Sequence, residues 1–227
     1  MKDALKRFLS AIRPHPTVPE TPWRASSKWD LSPRRLAILL PGLFIFGLGD
    51  SLLIVAQLGN APWTVLAQGI SIKLGISIGY ATLFVSLIVL SLWIPLKEKP
   101  GFGTLANILV IASAIDIGIS LFPKPSALAE RLAYVLLGIS LVGFGSALYI
   151  TCGLGPGPRD GLMTALHHRS GITVGKVRAA IEITVLTLGW VLGGKIGLGT
   201  VLFALLIGYS VALSFGVVSR QIGRAHV

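Results

Sequence analysis

The stretch from Leu36 to Gln57 limits the possible folds more than any other part of the chain. It is 22 residues long and contains one charged residue, Asp50. A helix needs about 20 apolar residues to cross a hydrocarbon core of about 30 Å, so this stretch is long enough to span a bilayer. Similar runs follow, and only 13% of the chain is charged, against about 25% in soluble domains. The runs are continuous and do not alternate in polarity, which argues against a transmembrane β-barrel. The sequence therefore predicts an all-α polytopic membrane protein.

The chain also contains an internal repeat. Residues 35–117 align with residues 131–213 at a constant shift of 96 without a gap, and roughly three in ten positions are identical. Many identities are glycines and prolines at breaks between apolar runs, where backbone conformation matters most. The same backbone is therefore expected twice, as membrane repeat 1 (35–122) and membrane repeat 2 (131–219).

Each repeat is predicted to contain three long helices and one short one. The long helices are expected at 35–57, 78–96, 103–122, 131–153, 174–193 and 199–219. The short ones are expected at 62–74 and 158–170, each starting with proline and stopping at glycine. Thirteen residues extend only about 20 Å, less than a bilayer core. Thr104 and Thr200 are predicted to be N-caps.

The direction of the second repeat depends on whether the short helices cross the bilayer. Six spans with two re-entrant half-helices give inverted repeats, whereas eight spans give parallel repeats. The positive-inside rule fits both equally well and places the N-terminus inside. Crossing would bring the charges of Arg159, Asp160 and Arg169 into or beside lipid, at about 2.5–3.5 kcal/mol for each charge at a helix centre. We therefore favour six spans.

The ends of the chain are treated separately from the membrane part. Residues 1–34 are basic and rich in proline, which predicts a short basic helix and a flexible cytoplasmic tether instead of a cleaved signal peptide. Residues 222–227 read like a translated sequencing adapter, so we suspect an artefact there and exclude them from the fold argument.

Three segments of repeat 2 carry a family resemblance. They are Leu154-Gly-Pro-Gly-Pro-Arg-Asp-Gly-Leu-Met163, Arg178-x-x-x-Glu182 and Gly197-x-Gly-Thr200. The chain resembles the YczE/YyaS/YitT family of bacterial integral membrane proteins over about residues 35–219, and its YczE-like branch most. The resemblance implies a multi-pass protein of the bacterial cytoplasmic (inner) membrane, and it implies almost no chemistry.

Charged and polar residues at membrane depth are the candidate site residues, because such groups are expensive in lipid. The substrate-binding hypothesis comprises Arg159, Asp160, Asn60, Trp63 and Asn107. The coupling or charge-relay hypothesis comprises Asp50, Asp116, Arg178 and Glu182. The repeat partners of the charged residues are uncharged, which favours a functional site over a duplicated structural role. The structural alternatives stay open. They are an ion pair within one helix, pairing of Asp50 and Asp116 with Arg159 or Lys176, a carboxylate at a helix N-terminus, and an aromatic anchor at the membrane interface.

The expected function follows from the half-helices, whose N-termini favour an anionic group near the midplane. We expect a secondary transporter or a channel-like protein for a small polar, possibly anionic solute. The alternative is a non-transporting accessory membrane protein that supports another complex or a biosynthetic enzyme. We expect no catalytic residues, no enzyme activity, no metal site and no cofactor. The expected partners are the lipid bilayer and a small-molecule solute, without nucleic acid; a homo-oligomer is left open.

Overall fold

The structure, a computed structural model, describes residues 18–223, and the side chains as far as residue 219. The predicted basic helix at the N-terminus and residues 224–227 of the suspected artefact lie outside this part. The described residues are helical and contain no strand. The helices are α1 (Pro33–Ala56), α2 (Pro62–Leu74), α3 (Ile78–Ser91), α4 (Trp93–Leu96), α5 (Phe102–Leu121), α6 (Leu128–Thr151), α7 (Pro158–Ser170), α8 (Val174–Val191) and α9 (Leu198–Gly223).

Five helical segments of the described part are long and apolar enough to cross a membrane. They are Pro33–Ala56, Ile78–Leu96, Phe102–Leu121, Leu128–Thr151 and Leu198–Ser219. α8 has 18 residues, but Lys176, Arg178 and Glu182 make it too polar to qualify by composition. The structure therefore confirms an all-α protein with several apolar spans, and it gives five apolar spans where the sequence predicts six.

The two short helices occur where the prolines and glycines predict them. Both have 13 residues, begin with proline, and end at a left-handed glycine, Gly75 with φ +67° and Gly171 with φ +70°. An L-residue with a side chain rarely adopts this conformation, so glycine ends the helix at low cost.

The predicted N-caps at Thr104 and Thr200 are wrong by three residues. α5 begins after Gly101, and Thr104 is the third residue of the helix, where its hydroxyl accepts a hydrogen bond from the Gly101 N–H at 3.2 Å. The Thr200 hydroxyl accepts one from the Gly197 N–H at 3.3 Å. The threonine thus completes one half of a capping box.

α1 and α6, the first long helices of the two repeats, cross closely in opposite directions. A Cβ atom at Gly42 would lie 2.8 Å from Leu148 Cβ, and one at Gly145 would lie 2.5 Å from the Gly42 carbonyl oxygen. Further along, Gly49 meets Gly138, with hypothetical Cβ atoms 2.7 Å from each other's carbonyl oxygens. Residues early in α1 therefore contact residues late in α6, and only glycine permits this approach.

The last long helix of each repeat runs in the same direction as the first. Gly47 of α1 packs on Ala114 of α5, and Ser51, further along α1, packs on Gly118, further along α5. α6 and α9 are related in the same way, because early residues of α6 pack on early residues of α9 and late residues on late ones. One of their contacts is the hydrogen bond from the Ser210 hydroxyl to the Ile139 carbonyl oxygen, 3.1 Å long.

The described part of the predicted tether, residues 18–32, packs against the ends of the helices. The Thr21 hydroxyl donates to the Thr151 carbonyl oxygen at 3.0 Å, and the Ala25 N–H donates to the Cys152 carbonyl oxygen at 2.8 Å. Arg35 forms an ion pair with Asp30 at 2.5 Å. These bonds satisfy backbone groups that a helix end leaves free, which explains why this segment is ordered against the bundle.

Candidate functional site

The N-termini of α2 and α7 meet at a cavity of about 410 Å³. This volume lies within the usual range for small-molecule sites, about 300–1,000 Å³. Pro62 and Trp63 line the cavity from α2, and Pro158, Arg159 and Asp160 line it from α7. A helix N-terminus presents free N–H groups and a partial positive charge, so two such ends at one cavity favour an anionic group.

The two repeats contribute equivalent positions to the cavity wall. Many lining residues form pairs that are 96 positions apart in the sequence. These pairs are Phe46 and Val142, Asp50 and Ser146, Ala61 and Gly157, Pro62 and Pro158, Trp63 and Arg159, Thr82 and Arg178, Ser86 and Glu182, Asn107 and Phe203, and Ile111 and Ile207. The two aligned segments of the sequence therefore contribute corresponding positions to the cavity wall, and at most of these positions the two side chains differ.

Arg159 and Trp63, which occupy equivalent positions of the two half-helices, contact each other. The guanidinium carbon of Arg159 lies 5.1 Å from the centre of a Trp63 ring, a cation–π distance. Among the described residues, no carboxylate oxygen lies within 4.0 Å of the Arg159 nitrogens, and no hydrogen bond from its side chain is formed. Its N–H groups are therefore available to a ligand in the cavity.

Two carboxylates border the Arg159 guanidinium, and each accepts a hydroxyl bond. Asp50 is 2% exposed and accepts from the Thr64 hydroxyl at 3.2 Å. Asp160, in the first turn of α7, accepts from the Tyr149 hydroxyl at 2.7 Å. The helix N-terminus offsets part of the charge of Asp160. Asp50 lies within α1, away from either end of that helix.

Arg178 and Glu182 line the cavity from α8 and pair with each other. The Arg178 Nε donates to Glu182 Oε1 at 2.9 Å, one turn along the helix. Asn107 lines the opposite side, where its amide lies beside Gly157. The buried hydroxyl of Thr82 also lines the cavity and has no hydrogen-bond partner among the described residues. A ligand in the cavity would satisfy this hydroxyl.

Asn60 and Asp116 lie away from this cavity. The Asn60 amide donates to Gln68 Oε1 at 2.9 Å and lines a second cavity of about 380 Å³ together with Lys124 and Lys195. Asp116 accepts from the Ser77 hydroxyl at 2.5 Å and from the Gly79 N–H at 2.8 Å. Seven of the nine candidate residues thus line the 410 Å³ cavity. Asp116, a residue of α5, instead accepts hydrogen bonds from the N-terminus of α3.

α7 is held in place by a buried tryptophan. The Trp93 indole N–H donates to the Pro158 carbonyl oxygen at 3.0 Å, and its ring covers Gly161 so closely that a Cβ atom there would overlap it. Trp93 is 2% exposed. This packing sets the position of Arg159, because Pro158 and Gly161 flank it on the same helix.

Sequence reasoning did not select several cavity residues. Ser86 and Ser146 were identifiable as the repeat partners of Glu182 and Asp50, and both line the cavity. Tyr149 carries no comparable signal, because its repeat partner is the apolar Leu53. Its role depends on the hydrogen bond that its hydroxyl donates to Asp160 of α7.

The described residues contain no group of three or more histidine, cysteine, aspartate or glutamate side chains that could hold a metal ion. His167 and His168 lie in the last turn of α7, and His167 Nδ1 contacts the Ile172 carbonyl oxygen at 2.6 Å. Cys152 is completely buried at the end of α6.

The chain resembles several known proteins over most of its length. An uncharacterised protein of Haemophilus influenzae is 45% identical over 203 residues, which cover 89% of this chain and 93% of that protein. The uncharacterised membrane protein YczE of Bacillus subtilis is 32% identical over 176 residues, 77% of this chain and 82% of YczE. The uncharacterised protein YyaS of the same organism is 28% identical over 184 residues, 79% of this chain and 92% of YyaS.

No solved structure matches the chain. Residues 33–215 match DUF6198, a family of unknown function, and this range contains the cavity residues. The predicted resemblance to YczE-like membrane proteins is confirmed. The chain belongs to the DUF6198 family of membrane proteins.

Proposed function

We propose that the protein is a secondary transporter for a small anionic solute and that the cavity between α2 and α7 is its binding site. One observation carries the proposal: the guanidinium of Arg159 faces the cavity at the meeting point of two half-helix N-termini, stacked on Trp63 and without a carboxylate within 4.0 Å among the described residues. The guanidinium keeps its charge and forms no direct ion pair with the neighbouring Asp50 and Asp160, so its N–H groups can bind an anion.

The helix directions support six spans with two re-entrant half-helices. α1 and α5 run in the same direction, as they would if one re-entrant helix and one crossing helix lay between them. Eight spans would make them antiparallel. The Phe102 N–H donates to the Lys28 carbonyl oxygen at 3.0 Å, which places the segment before α1 and the loop before α5 at the same end of the bundle. Six spans also account for this contact.

The antiparallel crossing of α1 and α6 supports inverted repeats. Equivalent helices would run in parallel if the repeats had the same orientation, whereas Gly42 meets Gly145 and Gly49 meets Gly138. Inverted-repeat transporters bind their substrates between the repeats, at broken helices near the midplane. The positive-inside rule then places the N-terminus in the cytoplasm, and the bacterial relatives favour the cytoplasmic membrane.

Four polar residues of the cavity have a role in this mechanism. Arg159 binds the anion through charge-assisted hydrogen bonds, while Asn107 and Thr82 offer further donors. Asp50 is the candidate for a coupled proton, because it is buried beside Arg159 without a direct ion pair. Binding of an anion to Arg159 removes the positive charge that stabilises ionised Asp50, and this links the two events.

The proposal is tested by anion flux into proteoliposomes that contain the purified chain. Acetate, butyrate, nitrate and inorganic phosphate are offered separately, and internal pH and anion uptake are recorded. Wild-type protein is compared with Arg159→Gln and with a control on the same helix, Arg169→Gln, whose side chain is exposed at the C-terminal end of α7. Flux that needs Arg159 and tolerates the loss of Arg169 supports transport. Folded protein that moves neither these anions nor a longer-chain carboxylate contradicts it and favours the accessory role.

A further inference from the structure

In repeat 1, the second and third long helices close the cavity by packing on each other. Gly79 of α3 lies against Ala112 of α5, so closely that a Cβ atom would overlap the Ala112 carbonyl oxygen. The Gly79 N–H also donates to Asp116 at 2.8 Å. The line along which α3 and α5 meet is therefore sealed by small side chains.

The equivalent line in repeat 2 is open. α8 packs on α2 and α7, while α9 packs on α6, and α8 and α9 do not pack along each other. Gly175 and Gly208 correspond to Gly79 and Ala112. Within the described part of the chain, a Cβ atom at either glycine would have no neighbour within 4 Å. We refer to the gap between α8 and α9 as the lateral opening.

The side chains at this gap explain the difference between the repeats. Thr82 and Ser86 of α3 are small and buried beside α5, whereas α8 has Arg178 and Glu182 at the same positions. Their side chains remain 50% and 33% exposed and pair with each other. A charged pair of this size keeps α9 from approaching α8 as α5 approaches α3.

The α9 wall of the cavity is apolar along its length. Phe203, Ile207, Val211 and Phe215 recur every fourth residue and face the cavity, over a distance of about 18 Å. The repeat partner of Phe203 is the polar Asn107. The cavity therefore combines a charged group, Arg159, with an apolar strip on α9 that is suited to a hydrocarbon chain.

The lateral opening lies on the lipid-facing side of the bundle. The apolar side chains of Ile183 and Leu188 on α8 are 64% and 52% exposed, and Leu205 on α9 is 72% exposed. In a bilayer, such side chains contact acyl chains. A molecule dissolved in the bilayer would reach the cavity between these two helices without passing through water.

From these observations we infer that the substrate is a single-chain amphiphile with an anionic head group, which enters the cavity from the bilayer through the opening between α8 and α9. This inference rests on the proposed function and specifies its substrate class. The head group pairs with Arg159, and the chain lies along the apolar strip of α9. The strip packs on α6 with one side, and a small hydrophilic anion would use the guanidinium but not the cavity-facing side of the strip.

The probe is a 16-carbon fatty acid with a photoreactive diazirine near the chain end, added to the protein in phosphatidylcholine nanodiscs. Mass spectrometry locates the adducts. Gly208→Trp fills the lateral opening, and it is expected to fold because its site has open space. Leu205→Trp, on the lipid-facing side of the same helix, is the matched control, since it does not line the cavity. Arg159→Gln tests the head group.

We expect adducts concentrated on the cavity face of residues 203–215. Labelling should fall at least about tenfold in Arg159→Gln, since a charge-assisted hydrogen bond contributes about that factor or more to affinity. It should fall several-fold in Gly208→Trp and stay unchanged in Leu205→Trp. Adducts spread over exposed α9 residues and unaffected by Arg159→Gln would overturn the inference. If butyrate flux needs Arg159 while the fatty acid does not label the cavity face, the amphiphile is refuted and anion transport stands.

Discussion

Replacing Arg159 with lysine separates a structural role of this residue from a role in binding. The guanidinium contacts the Trp63 ring, with 5.1 Å between the guanidinium carbon and the ring centre. A cation–π contact contributes about 0.5–2 kcal/mol, and lysine keeps the charge. Since 1 kcal/mol shifts the melting temperature of a protein of this size by about 2–4 °C, we expect Arg159→Lys to lower it by a few degrees at most.

The expected effect of the same change on ligand affinity is much larger. Lysine cannot form the two parallel hydrogen bonds with which arginine grips a carboxylate or phosphate. The loss of one charge-assisted hydrogen bond of about 1.5–3 kcal/mol reduces affinity by about 10- to 100-fold. Arg159→Ala should be worse in both stability and flux, because it also removes the charge and the stacking on Trp63.

The assays are thermal unfolding in detergent and anion flux in proteoliposomes, with Arg169→Lys as the control at the exposed end of the same helix. Full flux in a well-folded Arg159→Lys protein would refute the anion grip. A loss of more than about 10 °C would mean that the guanidinium stabilises the fold to an extent that the Trp63 contact does not explain.

Three further predictions concern the fold. With the buried native cysteine replaced by serine, cysteines at the exposed positions Lys73 and Lys99 should react with an impermeant reagent from opposite sides of the membrane; labelling from one side would exclude the six-span arrangement. Gly49→Leu should prevent folded expression, because even a Cβ atom would lie 2.7 Å from the Gly138 carbonyl oxygen, whereas Gly208→Ala should express normally. Asp116→Ala should lower the free energy of unfolding by about 1–2 kcal/mol, as the loss of a helix cap does, and should leave flux unchanged. A loss of flux in folded protein would mean that Asp116 is a coupling residue.

Helix positions were largely predictable from the sequence, because proline and glycine act through local backbone geometry. α2 and α7 begin and end at the predicted residues for this reason. Pro95 shows the limit of such rules. The helix expected at 78–96 is interrupted at Leu92, since Pro95 has no N–H to donate to the Ser91 carbonyl oxygen. Pro41 leaves α1 continuous.

The cavity was predictable in part, because charge at membrane depth is visible in a sequence and side-chain partners are not. Arg159, Asp50 and Glu182 were identifiable from their cost in lipid, and they line one cavity. Asp116 is also a charge at membrane depth, but its carboxylate accepts hydrogen bonds from the start of α3. This contact depends on how α3 packs against α5, which the sequence does not show. The gap between α8 and α9 was equally hidden, because an alignment of two similar repeats does not show that they pack differently.

The glycine contacts between α1 and α6 have a consequence for the origin of the chain. Gly42 meets Gly145 and Gly49 meets Gly138, so each contact is the other with the two halves exchanged. This is the pattern of an isologous dimer interface, in which the same patch serves both subunits. Such a self-complementary contact fits two halves that descend from one sequence. In the present chain one half carries Arg159 where the other carries Trp63, a division of labour that is closed to identical subunits.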